Sequence, residues 1–185
     1  MSALQNLPSN TNFLSPIGFK FSLTNYPNVN YFCQAANLPG ISISPIPIAT
    51  SFNAINLSGD EVSYDELAIR FAIDENMKNW LEIHDWIIGL GLPTAESRNK
   101  YRQLKEAGEL TSDAVLTILT SSMNPQIAIH FKDCFPLSLS GINFDSTSTD
   151  IEYISADVSF RYDLYTIENL LANDTTYEGV PVYTA

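Results

Sequence analysis

Two histidines, two cysteines and a handful of acid-flanked positions are the residues of this chain best suited to chemistry. His84 stands next to Asp85, a pairing that in some enzymes orients an imidazole base. Adjacent residues on a helix point about 100° apart, however, so the two do not form a coupled dyad, and no activated nucleophile accompanies them. His84 and His130 are far apart in sequence, and neither has a cysteine, histidine or carboxylate at ligand spacing, so no zinc site is legible. A phosphate loop, a Gly-x-Ser-x-Gly elbow and a dinucleotide fingerprint are all missing. Cys33 and Cys134 either pair or remain two buried thiols on strands, and a reducing assembly site favours the thiols. The sequons at Asn56 and Asn173 carry little weight without an export signal. The sequence therefore nominates no catalytic, cofactor-binding or metal residue, and no cofactor. The expectation is a protein that is not an enzyme.

The charge balance narrows the partners. Nine basic residues against 21 acidic ones leave −12. Affinity for nucleic acid comes mainly from Lys and Arg releasing counterions from phosphate, so DNA is not expected as a tightly held ligand. On charge alone, acidic excess serves to keep the protein dispersed. A length of 185 residues with 45% hydrophobic content suits one domain around one core. No apolar run approaches the roughly 20 residues needed to span a bilayer. The first residues, Met1 to Asn6, lack the basic start and apolar stretch of a secretory signal.

The elements that must hold these residues are mostly strands. Residues 1–16 are polar and rich in Asn and Ser, and read as a flexible arm. Ile17, Phe19, Phe21 and Leu23 alternate with Gly18, Lys20 and Ser22, the period of a half-buried strand. Turn residues Asn25-Tyr26-Pro27-Asn28 follow, and Val29, Tyr31, Cys33 and Ala35 alternate again, so the two runs read as an antiparallel hairpin. Leu38-Pro39-Gly40 ends it. Pro45 and Pro47 then sit two apart, which a central strand would not tolerate but an edge or an excursion from the sheet would. The stretch to Leu57 is long, moderately apolar and nearly uncharged. Such a surface invites association, an ordinary loop or internal strand being the alternative.

Leu67, Ile69, Phe71 and Ile73 alternate cleanly, with Glu66, Ala68, Arg70 and Ala72 on the other face. Asp74 is placed as a helix N-cap, with a helix over about 75–90. Met77, Trp80, Leu81, His84, Ile87 and Ile88 fall at helical spacing and are assigned to the core, not to a cofactor. Gly89, Gly91 and Pro93 stop that helix. Thr94 to Gly108 is the most charged part of the chain, with four of the nine basic residues, and reads as a short exposed helix around Asn99–Ala107 or a solvated loop. Ala114 to Thr120 is nearly all apolar or Thr, as in a strand buried on both faces. Gln126 to Phe131 and the continuation through Phe135-Pro136-Leu137 come next. After the polar turn 145–150, residues Ile151 to Tyr165 form one alternating strand, long against the usual five or six residues. Residues 168–185 are an acidic tail, either an interface arm or disordered.

Several of these signals recur in a fixed order: Cys33-Gln34-Ala35, Leu38-Pro39-Gly40, Gly59-Asp60, Tyr64-Asp65-Glu66-Leu67, the helix with Trp80 and Trp86, Phe135-Pro136-Leu137, Ile142-Asn143-Phe144-Asp145 and the long last strand. That order, over Ile17 to Tyr165, resembles the tail tube protein family of contractile-tailed bacteriophages. The resemblance implies a mainly β fold, an antiparallel barrel or sandwich with one packed helix over residues 17–167. It implies a structural virion protein whose hexameric rings stack into the inner tail tube, with sheath and baseplate proteins as partners. DNA would pass through without tight binding, and assembly would take place in the host cytoplasm, away from any membrane. A tube initiator or cap of the same fold, a secretion-system tube relative and a soluble β-barrel binding module are the alternatives. In the family, the region of Ile41 to Leu57 is an extension that packs on neighbouring subunits, which nominates Ile46, Ile48, Phe52, Ile55 and Leu57 as interface residues. A wall that conducts DNA should repel it, which nominates Glu66 and Glu152 as lumen-facing, or Asp157 and Asp163 if the last strand is turned the other way.

Overall fold

A computed structural model describes residues 12–49, 53–91, 95–108, 110–144 and 153–170. Its spine is β9 (Pro125–Leu139), a strand of 15 residues that belongs to two sheets in turn. The first part of β9 carries β8 (Ser112–Leu119), which pairs in turn with β1 (Phe19–Leu23). The last part carries β10 (Ser155–Arg161), followed outward by β7 (Leu67–Ala72) and β2 (Cys33–Ala36). All these pairings are antiparallel, and β11 (Leu164–Asn169) adds to the first part of β9. β9 turns from one sheet to the other at Asp133, whose φ of 54° is left-handed. The register on β8 shifts at the same place, as a bulge requires. Asp133 Oδ1 accepts from Thr111 Oγ1 at 2.9 Å, which holds the turn in place. The two sheets close around one core, an open-sided barrel in which β1 and β2 touch at the far edges without a ladder.

Phe21 and Leu23, Leu67, Ile69 and Phe71, Val158 and Phe160 are buried as the alternation singles out, and Leu116, Ile129 and Phe131 join them from β8 and β9. The long final strand exists, though interrupted and running from Ser155 to Asn169, later than the expected Ile151 to Tyr165. The pair Arg161↔Phe135 is continued in register by Leu164↔Lys132, so β10 and β11 are one strand broken at Tyr162 and Asp163. In β8 only one face is fully buried. The other, with Val115 and Thr117, is half covered, less than the apolar run predicts.

The first expected hairpin does not form. Residues Pro27–Tyr31 are a short helix, α1, and β2 crosses to pair with β7 instead of β1. Pro27 opens α1, where its fixed φ suits a helix start and its missing N–H costs nothing. The Asn30 amide then bonds both the N–H and the C=O of Leu23, taking the place of a partner strand at that point of β1. Val29, read as a strand residue, is fully buried from the helix.

The main helix, α2, spans Lys78–Gly91, later than the expected start, and its inner face is turned from the expected one. Asp74 is not its cap. Met77, at φ 55°, precedes it, and its carbonyl accepts the Leu81 N–H. The buried residues are Asn79, Ile83, Trp86 and Gly89, while Leu81 and Ile88 are exposed and Trp80 lies at the flank. A polar residue decides the rotation: buried Asn79 donates to the Ala72 carbonyl at 2.7 Å and ties α2 to the end of β7. Trp86 is the central aromatic, stacked 4.4 Å from Tyr26 and bonded through Nε1 to the Leu110 carbonyl at 3.0 Å. A third helix, α3 (Ala95–Ala107), packs on α2 and begins earlier than expected. Gly108, at φ 73°, ends it as a left-handed glycine should.

Candidate assembly surfaces

Residues 41–64 leave the core as two short ladders. The inner one pairs β3 (Ile41–Ile43) with β6 (Val62–Tyr64), and the outer one pairs β4 (Ile46–Ala49) with β5 (Ala54–Leu57). Direct pairs Ile46↔Leu57 and Ile48↔Ile55 place those four side chains on one face of the outer ladder. Ile41, Ile43, Val62 and Tyr64 share a face of the inner ladder in the same way. All the branched side chains among these are about half exposed, Ile55 at 55% and Leu57 at 50%. A ladder of two four-residue strands with an uncovered apolar face is marginal by itself in water, which makes this face a candidate assembly surface. The expected interface residues Ile46, Ile48, Ile55 and Leu57 are thus brought together. Phe52 lies outside the described residues.

Between the ladders the two chains cross closely at Gly59. A Cβ there would come within 2.1 Å of the Ser44 carbonyl oxygen, so no other residue fits without moving the backbone. Pro45 falls between β3 and β4, and Pro47 sits opposite Asn56 in the outer ladder, where a two-stranded ribbon leaves one edge of each strand unpaired. At its base the extension is clasped to the barrel. Tyr162 Oη donates to the Asp65 carbonyl at 3.0 Å, and Arg161 Nη1 donates to the Tyr64 carbonyl at 3.1 Å. The Tyr64 ring lies edge-on to Tyr162 and Tyr165, with ring centroids 6.0 and 5.5 Å apart. Burial, reinforced by Tyr165, pushes the Tyr162 phenol up to about 12. On the other side, Asn37 lays its amide along β7, donating to the Glu66 carbonyl at 3.1 Å and accepting from the Ala68 N–H at 2.7 Å. Tyr162, in phase with the buried Ala156, Val158 and Phe160, thus reaches the root of the extension at the break in the long strand, a contact that alternation did not reveal.

The four acidic candidates separate. Glu152 lies outside the described residues. Glu66 is exposed just before β7. Asp157 is exposed on the outer face of the second sheet, but Arg70, its partner in the β7–β10 register, lies at 2.8 Å and offsets its charge. Asp163 is exposed at the break between β10 and β11. Of the alternative pair Asp157 and Asp163, the first is therefore offset by Arg70, whose pairing no single-strand pattern discloses.

The residues with chemical potential are spread apart. His84 Nδ1 lies 3.4 Å from Asp85 Oδ1 at the surface, and its ring stacks on Trp80. His130 contacts Glu168 across β9 and β11 at 3.1 Å. Cys33 and Cys134 are free thiols, pushed up to about 11 and about 12 mainly by burial. Among the described residues no three His, Cys, Asp or Glu side chains gather as a metal site would require. None of the described helices is long and apolar enough to cross a membrane.

Comparison with known proteins agrees with a role in assembly. The tail tube terminator protein of Enterobacteria phage T4 is 22% identical over 141 residues, 73% of this chain and 76% of that protein. The cap of the anti-feeding prophage, its tube terminating cap, superposes with a TM-score of 0.63 at 17% identity, covering 91% of this chain and 99% of that one. A chain of the sheath/tube terminator of the PVC extracellular contractile injection system gives 0.59 at 18% identity, covering 86% and 99%. A chain of the sheath–tube complex of the same system gives 0.57 at 16%, covering 92% and 99%. The phage tail tube protein family model matches residues 4–168, so the chain belongs to that family of structural proteins.

Proposed function

We propose that this protein is a tail tube terminator: a ring of identical subunits that closes the end of a phage tail tube and leaves its bore open to DNA. The observation that carries the reading is the match to the T4 terminator, which extends over three quarters of both chains. The shape-level likeness to the anti-feeding prophage cap supports it from the side of the fold. The uncovered apolar face of the extension supplies a surface for neighbouring copies, in the six-membered arrangement expected of the family. Tail sheath and baseplate or terminator components are the further partners of this reading, and the assembled phage tail is its location.

The tube shaft is the second reading, supported by the family description and by the likeness to the PVC sheath–tube chain. The two differ in one physical respect. A shaft subunit must stack on itself without limit, because its two ring faces are complementary and the contact does not close. A terminator offers the tube one complementary face only. Electron microscopy of the purified protein, alone and mixed with preformed tubes of the same phage, separates them. Single rings that bind one tube end are the expected result. Filaments of this protein alone would transfer it to the shaft.

A further inference from the structure

Helix α3 carries Arg98, Arg102 and Lys105 at positions i, i+4 and i+7, which fall on one face, and all three are exposed. This is a cationic stripe in a chain whose net charge is −12, and the segment around it holds four of the nine basic residues. Two other cations are already engaged, Arg70 with Asp157 and Arg161 with the Tyr64 carbonyl. Exposed Asp60 and Glu61 stand at the joint between the two ladders of the extension, beside the Gly59 crossing. The apolar faces of the outer and inner ladders end on either side of that joint, at Leu57 and at Val62 respectively. A surface that covers either set of side chains comes within a few residues of the two carboxylates. If that surface belongs to a second copy, it must meet them with positive charge or leave them repelled by an acidic neighbour.

We propose that the Arg98–Arg102–Lys105 face of α3 receives the Asp60–Glu61 joint of a second copy of this chain. The occupant is argued from charge complementarity within the one sequence: α3 is the concentrated source of positive charge, and the joint is an acidic point fixed to the face most in need of cover. The pairing sets the register of one subunit on the next, while apolar burial supplies the bulk of the contact. It rests on the reading that this protein self-assembles through the extension.

The test is a charge swap. R98E/R102E/K105E and, separately, D60K/E61K are expected to raise the concentration needed for ring formation at least about tenfold, as like charges now face each other. The combined five-fold variant is expected to recover most of the lost assembly. Circular dichroism and thermal melting should match the parent for all three, since every altered side chain is exposed. Wild-type assembly should also weaken between about 0.1 M and about 1 M salt, as the Debye length falls from about 10 Å to about 3 Å. Unchanged assembly of R98E/R102E/K105E overturns the proposal. So does failure of the combined variant to recover, the outcome expected if the stripe instead faces DNA or a different acidic protein. Loss of assembly in I55D/L57D with no effect of the charge variants removes this pairing alone. Normal assembly of I55D/L57D removes the extension reading beneath it.

Discussion

Tyr162 and Asp65 are 97 residues apart, yet the phenol of one donates to the backbone carbonyl of the other at 3.0 Å. With Arg161 on the neighbouring Tyr64 carbonyl, this bond fastens the root of the extension to the break between β10 and β11. Tyr162→Phe keeps the ring contacts and loses the hydrogen bond, so a cost of about 0.5–1.5 kcal/mol is expected. Faster hydrogen exchange over β6 is expected with it. The pH dependence has a definite sign. The folded phenol titrates near 12, above its ordinary value of 10, so the folded state holds its proton longer than the unfolded chain. The contribution is fully present below pH 10 and is lost as pH rises from 10 to about 12. Alkaline melting of wild type and Tyr162→Phe should show a shallower decline for the variant.

The rotated face of α2 makes a direct comparison of two tryptophans informative. Trp86 is 2% exposed and sits among Tyr26, Phe160 and the Leu110 carbonyl. Trp86→Ala is expected to cost about 3–5 kcal/mol, the range for deleting a buried large aromatic. Trp80 flanks the core, with Nε1 on the Ser140 carbonyl at 3.3 Å and one ring face on His84. Trp80→Ala should cost clearly less. Equal losses in a denaturant titration would mean that the helix presents both rings to the core alike.

Much of the fold was legible because strands announce themselves by alternation. Leu67, Ile69 and Phe71, and Ala156, Val158 and Phe160, lie buried as that period demands. Helical spacing put Met77, Trp80, Leu81, His84, Ile87 and Ile88 on the inner face of the helix and missed the rotation of α2, since apolar residues occur all round it and the decisive contact is made by a polar one, Asn79. The α1 segment misled for a related reason: Val29 and Tyr31 alternate like strand residues, while Pro27 and the Asn30 amide make a helical turn there. Of the assembly surface, the apolar residues and paired prolines were visible in sequence. The clasp from Arg161 and Tyr162 and the offset of Asp157 by Arg70 were not, because both join residues more than eighty positions apart.

Gly59 offers a test of the crossing itself. In Gly59→Ala the new methyl would meet the Ser44 carbonyl oxygen at 2.1 Å, a backbone atom that moves only if a ladder moves. The expected cost is about 1–3 kcal/mol, as for forced overpacking. It should fall on the extension, with proteolysis between residues 41 and 64 rising well before the barrel melts. A variant as protease-resistant as the parent would show that the crossing relaxes without harm.

The lumen assignment leads to the last expected outcome. Glu66, Asp157 and Asp163 are exposed outside the barrel core, and Asp157 is held by Arg70 in an exposed pair that solvent screens. Stability therefore gives little reason for the acidic members, whereas under the proposed function a bore that must release DNA would, because cationic groups would bind the phosphate backbone. Glu66→Lys and, separately, Asp163→Lys, which stand for the two alternative lumen faces, should each leave melting and ring formation close to wild type. Rings of the variant whose lysines face the bore should retain short duplex DNA at low salt and release it as salt rises, where wild-type rings retain none. A six-copy ring of that variant would gain six lysines, enough to make retention steeply salt-dependent. If rings of both variants ignore DNA at low salt, these carboxylates lie on the outer wall and the lumen assignment ends.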